Sequence, residues 1–494
     1  MKSSCVLPIL GVGSPTPAPG DGAKLVAARG ICRTRTEEKK GSILQPLFKP
    51  RHIILLVADS LRYDAFYDQA NSRLPFASAH GLRFHQARSA GCWTLPATAA
   101  IFTGLMPHEH WATCQSRGLR QDVPTLAERM RLLGYHPYMI SANVVTTDIF
   151  GLHRGFERVE CIWRCLPNQK RLRMLLMLAG KPRLRRKLCS VDFVMGKMSD
   201  DLEAASVWLQ SSIDVVFSRA LALLDEAHRQ GKRTFCFLNL METHFPYHIA
   251  NTFETSMATV VGKLRELYSL YHLVNQTWLI HHKEYISPEM FLHLRQRQQR
   301  AWTYIAGRVD IFIEEVRERY QALVVFASDH GDNFGEQGWQ YHFSNVNDAG
   351  TRVPLLWLWH DRDEVGDIET PVSTRDLYGA LLQAAGDSDA SLFSITNRPD
   401  RSITMMQSYW YNNRGRTRPC FQYNQFAFVA GSQRYLHRRD QWLAAPITRW
   451  DESEATFEAL DVDVNPLQER LDAPERLACI RQAFEAYRTF TAGL

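Results

Sequence analysis

Three unbroken apolar runs limit the fold of this 494-residue chain more than any other feature. They are His52–Ala58, Thr234–Leu240 and Ala322–Ala327. A strand that is apolar at nearly every position, rather than at alternate ones, suits a sheet covered on both faces. Helical patterns separate the runs, over Thr125–Leu133, Val207–Gln230 and Arg295–Tyr320. The alternation predicts the α/β class: a mostly parallel central sheet flanked by helices. Each run stops at polar residues. Asp59 follows the first, Glu242 and His244 the second, and Ser328, Asp329 and His330 the third. Ligands of open α/β sheets sit beyond the carboxyl ends of the strands. Three such ends, rich in carboxylate and imidazole, predict one shared site for a metal or an anion.

The flanking regions read differently. Residues 1–50 contain Pro15, Pro17, Pro19 and a mixed-charge run, with little to form a core. They are expected to be a disordered or loosely attached leader. Residues 51–400 are expected to form the catalytic domain, with helix-rich insertions at about 160–232 and 250–295 that cover the site. Residues 401–494 are expected to form a smaller antiparallel-sheet subdomain. Its short strands would include Phe426–Val429, Arg434–Leu436 and Thr456–Leu460, followed by a final helix near Pro474–Thr491.

The net charge of +6 is unevenly spread. Residues 1–50 hold eight Lys/Arg against three Asp/Glu, and residues 168–190 hold eight and none. These two segments exceed the whole surplus, so the remaining body is acidic. Such a body has no general affinity for nucleic acid, and none is expected as a partner. The basic stretch Lys170–Lys187 encloses the apolar run Met174–Ala179. It reads as a solvated face, or as a docking surface for an anionic substrate, carrier or membrane. The ten cysteines include no Cys-x2-Cys pair, and Cys161 with Cys165 lacks a completing pair. Reduced, buried thiols are expected. No apolar stretch reaches the ~18–20 residues of a membrane span. Val6–Val12 is broken by Pro8 and Gly11 and makes a poor signal sequence. The expectation is a soluble, cytoplasmic protein.

Within the core, Asp59 is well placed to bind a hard cation. Pro96 suits the first turn of a helix that Gly104 would end, which sets Thr94 at or just before the N-terminus. There a hydroxyl is either a plain cap or a nucleophile beside free N–H groups. Asp329 and His330 are adjacent and can turn toward one cation. With Asp59 and Thr94 they give three oxygens and one nitrogen. That set suits one divalent ion, zinc or manganese foremost, with calcium and magnesium also compatible. His244 and His342 supply further imidazoles. Arg62 would either pair with Asp59 or nearby acids, or join the catalytic groups.

In this order the motifs resemble the alkaline phosphatase superfamily, in its sulfatase-like branch, over about residues 51–480. The first strand with Asp59-Ser60-Leu61-Arg62 is similar to the opening metal motif of that branch. Thr94–Gly104 is similar to its nucleophile helix, and His244-Phe245-Pro246-Tyr247 to its His-x-Pro-Tyr segment. Ser328–Gly331 resembles its second metal motif, His342 its following histidine, and Arg352-Val353-Pro354 its Arg-Val-Pro segment. Asp376-Leu377 before Ala385-Gly386 resembles its late helix, and Phe457–Asp461 with Asn465-Pro466 its C-terminal signature.

Two departures shape the implied chemistry. Sulfatases carry Cys or Ser where this chain has Thr94, and oxidise it to formylglycine; threonine cannot undergo that conversion. Cys92 is two residues out of register, and Thr98 replaces the branch's arginine. Ser60 stands where many sulfatases have a second Asp. The resemblance therefore implies a metal-dependent hydrolase or transferase of phosphate esters, acting through a phosphothreonine at Thr94. His244 or His342 would bind a phosphoryl oxygen or protonate the leaving group. The substrate would be a small anionic ester: a phosphodiester, phosphomonoester or phosphonate. Sulfate-ester hydrolysis or sulfuryl transfer on the same scaffold is the alternative, and a noncatalytic binding protein the third reading.

Overall fold

The structure is a computed structural model. It describes residues 48–67, 73–116, 118–162, 212–245, 247, 288–342, 345–388, 403–409, 424–447, 458–461, 463–471 and 477–492. Residues 1–47 of the expected leader, most of both expected insertions and the basic segment 168–190 lie outside the described residues.

Eight strands form the central sheet. In chain order they are β1 (His52–Ala58), β2 (Leu82–Phe84), β3 (Tyr135–Ser141), β4 (Arg158–Cys161), β5 (Arg233–Leu240), β6 (Ala322–Ala327), β7 (Leu355–Leu358) and β8 (Gly366–Ile368). Their spatial order is β8-β2-β7-β6-β1-β5-β3-β4. Strand β1 runs parallel to both β5 and β6, with His52 opposite Thr234 and Ala322. Only β7 runs against its neighbours. The three apolar runs are thus the three adjacent central strands. β3 was not foreseen, because Pro137 and its mixed polarity obscure the strand pattern.

Alternate residues of the central strands face opposite layers, as the pleat requires. Ile53, Leu55, Val57, Phe235, Phe237 and Val325 pack on one side with Leu95, Ala99 and Phe102 of the helix Thr94–Thr103. Ile54, Leu56, Leu238, Val324 and Phe326 pack on the other with Val216 and Leu224 of the helix Ile213–Arg229. The helix Pro288–Tyr320 joins that second layer through Trp302, Ile305, Val309, Ile313 and Val316. This spacing makes one apolar stripe along the helix. Burial on both faces explains why runs without polar interruptions became strands.

A separate antiparallel sheet follows: Ile403–Ser408, Gln425–Ala430, Gln433–Arg438, Gln441–Pro446 and Glu458–Ala459. Its Phe426, Phe428 and Trp442 pack with Phe490 of the final helix Leu477–Ala492 and with Ala100 and Met106. The helix Thr94–Thr103 is therefore held between the two sheets and is buried at every position. Gly104 ends it at φ 71°, a left-handed conformation that favours glycine. Among the described residues, no helix is long and apolar enough to cross a membrane.

Candidate active site

Four strand ends and one helix start converge. β1 delivers Asp59, β3 is followed by Asn143, β5 by Thr243 and His244, and β6 by Asp329 and His330. Thr94 opens its helix. Asp59, Asp329 and His330 are fully buried, and Thr94 nearly so. The ligand atoms of Asp59, Asp329 and His330 lie within 4.8 Å of one another. His330 Nε2 is 3.7 Å from Asp59 Oδ1, 3.6 Å from Asp329 Oδ2 and 3.3 Å from Thr94 Oγ1. The structure thus brings together Asp59, Thr94, Asp329 and His330.

The electrostatics of this cluster fit a cation. Asp329 Oδ2 is buried and accepts no hydrogen bond. Burial and the neighbouring Asp59 carboxylate push the Asp329 carboxyl up to about 7. For His330, burial disfavours the charged form, but Asp329, Asp59 and Asp332 outweigh it and raise its pKa. Two buried carboxylates facing an imidazole nitrogen, with one oxygen unpartnered, form a donor set that a divalent ion would neutralise. His330 Nδ1 lies 2.9 Å from the Gly331 carbonyl, so it carries the proton and leaves Nε2 facing the two carboxylates.

Polar neighbours hold the cluster in place. Asn143 Nδ2 donates to Asp59 Oδ2 at 2.6 Å and lies 3.3 Å from Thr94 Oγ1. Asn239 Nδ2 donates to the same Asp59 oxygen at 3.2 Å. The Ser60 N–H donates to Asp329 Oδ1 at 3.2 Å, and the Ser60 backbone is left-handed at φ 60°. Gln298 Nε2 donates to the Ser60 carbonyl at 2.8 Å, and Thr243 Oγ1 donates to the Asp59 carbonyl at 2.7 Å. Asn143 was missed from sequence because β3 was missed. A polar residue just past a strand end is the signal that would have found it.

His342 and His244 stand beside the cluster, with ring centroids 5.2 Å apart. The His342 ring is 4.5 Å from that of His330. Asp332 accepts a 2.5 Å hydrogen bond from His342 Nδ1 and another of 2.8 Å from Tyr247 Oη. Burial favours protonated Asp332, but His342 holds the carboxyl below its ordinary range. Burial pushes the His342 imidazole down to about 3, so it stands neutral with Nε2 unprotonated. His244 Nδ1 likewise faces a carbonyl, that of Phe245 at 2.8 Å.

Arg62 has other neighbours. Its guanidinium makes a two-point contact with Asp64 at 2.8 Å and donates to Glu336 at 2.6 Å and to the Asp332 carbonyl at 2.9 Å. Burial favours neutral Asp64, yet Arg62 and Arg295 pull it down to about 2. Cys92 is buried against the apolar layer, with Sγ 3.3 Å from Ser408 Oγ. Glu242 turns away from the cluster. It accepts from the Ser212 and Ile213 N–H groups at 2.6 and 2.9 Å, at the start of the helix Ile213–Arg229.

Comparison with known proteins gives one consistent picture. Residues 51–387 match the Sulfatase family model. Arylsulfatase K of Xenopus laevis is 24% identical over 345 residues, which is 63% of this chain. The match spans 58% of the length of that curated relative. Among solved structures, a phosphonate monoester hydrolase from Silicibacter pomeroyi has a TM-score of 0.55 at 15% identity, covering 90% of this chain and 96% of that one. The lipoteichoic acid synthase LtaP from Listeria monocytogenes has a TM-score of 0.53 at 12% identity, covering 89% and 92%. At such identities these structures speak for the fold: a mostly parallel sheet with a separate antiparallel one. With the family model spanning Asp59, Asp329, His330 and the helix of Thr94, the chain belongs to the sulfatase family.

Proposed function

We propose that this chain is a metal-dependent hydrolase or transferase of phosphate esters that acts through a covalent phosphothreonine at Thr94. The observation that carries this reading is the position of Thr94 Oγ1: at a helix start, 3.3 Å from both His330 Nε2 and Asn143 Nδ2, beside Asp59 and Asp329. Threonine cannot become formylglycine, so direct attack by its hydroxyl is the chemistry open to it. A divalent cation held by Asp59, Asp329, His330 and Thr94 supplies a Lewis acid that favours the ionised hydroxyl and offsets phosphoryl charge.

The chain's own groups then do the following. Asn143 donates toward Thr94 Oγ1 and fixes its direction. Beyond Thr94, Pro96 has no N–H and the Ala97 N–H donates to the Trp93 carbonyl at 3.1 Å, so the Leu95 N–H is the donor of that turn left to face growing charge on the phosphoryl oxygens. Thr94 Oγ bonds to phosphorus as the bond to the leaving oxygen breaks. The proton for that oxygen comes from His244. Water or an acceptor alcohol next attacks phosphorus and releases Thr94. Hydrolase and transferase differ only in that second acceptor.

Sulfate esters are the second reading, favoured by the similarity to arylsulfatase K. The deciding experiment exposes metal-loaded protein to 32P-labelled phosphate esters and 35S-labelled sulfate esters, and maps the trapped label. The expected result is 32P on Thr94, and loss of label and of at least ~10³-fold in turnover for Thr94→Ala. Label from 35S alone, or an active Thr94→Ala protein, would overturn the reading. For the basic segment 168–190 we propose docking of an anionic carrier or membrane surface, against the alternative of a plain solvated face. Salt-sensitive binding to anionic vesicles, lost on neutralising Arg183, Arg185 and Arg186, is its test.

A further inference from the structure

Tyr341 has no assigned part in the chemistry above, yet its surroundings are unusual. Its backbone is left-handed, φ 61°, a conformation that a bulky residue rarely adopts. The conformation is held by neighbours. Gln340–Tyr341 pairs with Asn333–Phe334, and Asn333 Nδ2 donates to the Tyr341 carbonyl at 2.8 Å. The result is a ring stacked on His342 at 3.8 Å and 26°, with its edge toward Phe245. The phenol oxygen stands 3.4 Å from His244 Nε2. The side chain is half-buried, unlike the fully enclosed Tyr247 nearby. Strain kept in place by a hairpin, and aimed at two histidines of which His342 lies against His330, points to use.

We propose that Tyr341 is a catalytic residue: its hydroxyl passes a proton to the departing oxygen, and His244 replenishes it. The proposal rests on the ester-cleavage reading and extends it. Because His244 Nδ1 is occupied by the Phe245 carbonyl, exchange with Tyr341 falls to Nε2. With His244 protonated, Nε2–H donates to the phenol oxygen and frees the phenol hydrogen for the substrate. As the bond from phosphorus to the leaving oxygen breaks, that oxygen takes the phenol proton. The phenol takes the Nε2 proton, and His244 becomes neutral. When water attacks the phosphothreonine, its proton returns by the same route, so the cycle restores both groups without another reactant.

The test compares Tyr341→Phe with wild type on 4-nitrophenyl phosphate and on an alkyl phosphate. A nitrophenolate leaves without a proton; an alkoxide does not. The variant should lose ~10²-fold or more on the alkyl ester and under ~10-fold on the aryl one. Equal loss on both, or loss on neither, would overturn the proposal. A second measurement needs no substrate. In metal-loaded protein carrying 15N-histidine, Tyr341→Phe should move the His244 Nε2 resonance, and an unmoved resonance would also overturn it. Should wild type cleave sulfates but not phosphates, the phosphate reading fails by itself. The same comparison on aryl and alkyl sulfates then decides Tyr341.

Discussion

Asn143 ties the two halves of the site together at the level of single residues. One side-chain nitrogen reaches both the Asp59 carboxylate and the Thr94 hydroxyl, while its oxygen accepts from the Val145 N–H at 2.7 Å. That third bond fixes the amide orientation, so the nitrogen must face the cluster. Asn143→Ala should lower metal affinity or turnover by ~10–100-fold, as loss of a ligand's supporting partner does. Metal titration followed by a steady-state assay measures it, and wild-type values for both would remove Asn143 from the site. Arg62 is the contrasting case. It sits three residues from Asp59, yet its guanidinium serves Asp64, Glu336 and the Asp332 carbonyl. Sequence proximity offered Asp59 or a nearby acid as its partner, and Asp64 is that acid. Asp64, two positions on, together with Glu336 and the Asp332 carbonyl from a distant segment, sets where the charge points.

The helix Thr94–Thr103 is the element that matters most, because its first residue is the candidate nucleophile. Its end is fixed as firmly as its start. At Gly104 a Cβ would meet the Tyr378 ring at 3.0 Å, in a backbone conformation already costly for a side chain. Gly104→Ala should therefore destabilise the protein by about 1–2 kcal/mol, read as a lower midpoint in urea. A midpoint within error of wild type would show that the helix end tolerates a shift. The antiparallel sheet braces the same helix through Ala100, and the segment just past it through Met106. It is also tied to the central body by charge. Asp348 lies between Arg88, at 2.7 Å, and Arg434 of the strand Gln433–Arg438, at 2.7 Å, with all three side chains buried. Asp348→Ala would leave two buried guanidinium groups facing each other and should cost about 3–5 kcal/mol. Chemical denaturation checks this, and a change below about 1 kcal/mol would mean that water or other acceptors take the carboxylate's place.

The whole molecule carries buried histidines whose ionisation couples folding to pH. Burial, with help from Arg51 and His228, pushes His52 down to about 4. Burial pushes His110 down to about 3. Both lie below the ~6.5 of an unfolded histidine, so the unfolded chain binds their protons first. Stability is then complete above pH ~6.5 and falls as pH drops toward these folded values. His52 alone accounts for about 3 kcal/mol by pH 4. Asp329, whose carboxyl is pushed up to about 7, works in the opposite direction over the same range, so the test is a comparison: the melting temperature of a His52→Gln variant should fall less steeply between pH 7 and 4 than that of wild type. Equal slopes would mean that the His52 ring is not held neutral.

Much of this architecture follows from local sequence. β1, β5 and β6 are adjacent and central because each is apolar enough to be covered on both faces. Their polar terminal residues had to meet, since parallel strands end on the same side. The metal-type donors Asp59, Asp329 and His330 were therefore legible along the chain. β3 was not, because Pro137 and mixed polarity hide a strand whose neighbours complete it, and Asn143 was hidden with it. Only the tertiary structure decided which side chains touch. Asn143 reaches Thr94 across 49 positions, and Arg62 reaches Glu336 across 274. The left-handed turn at Tyr341 is a third such case. Apolar patterning fixes which segments are buried and which face is apolar. Hydrogen-bond direction within the site depends on groups brought together only once the sheet has formed.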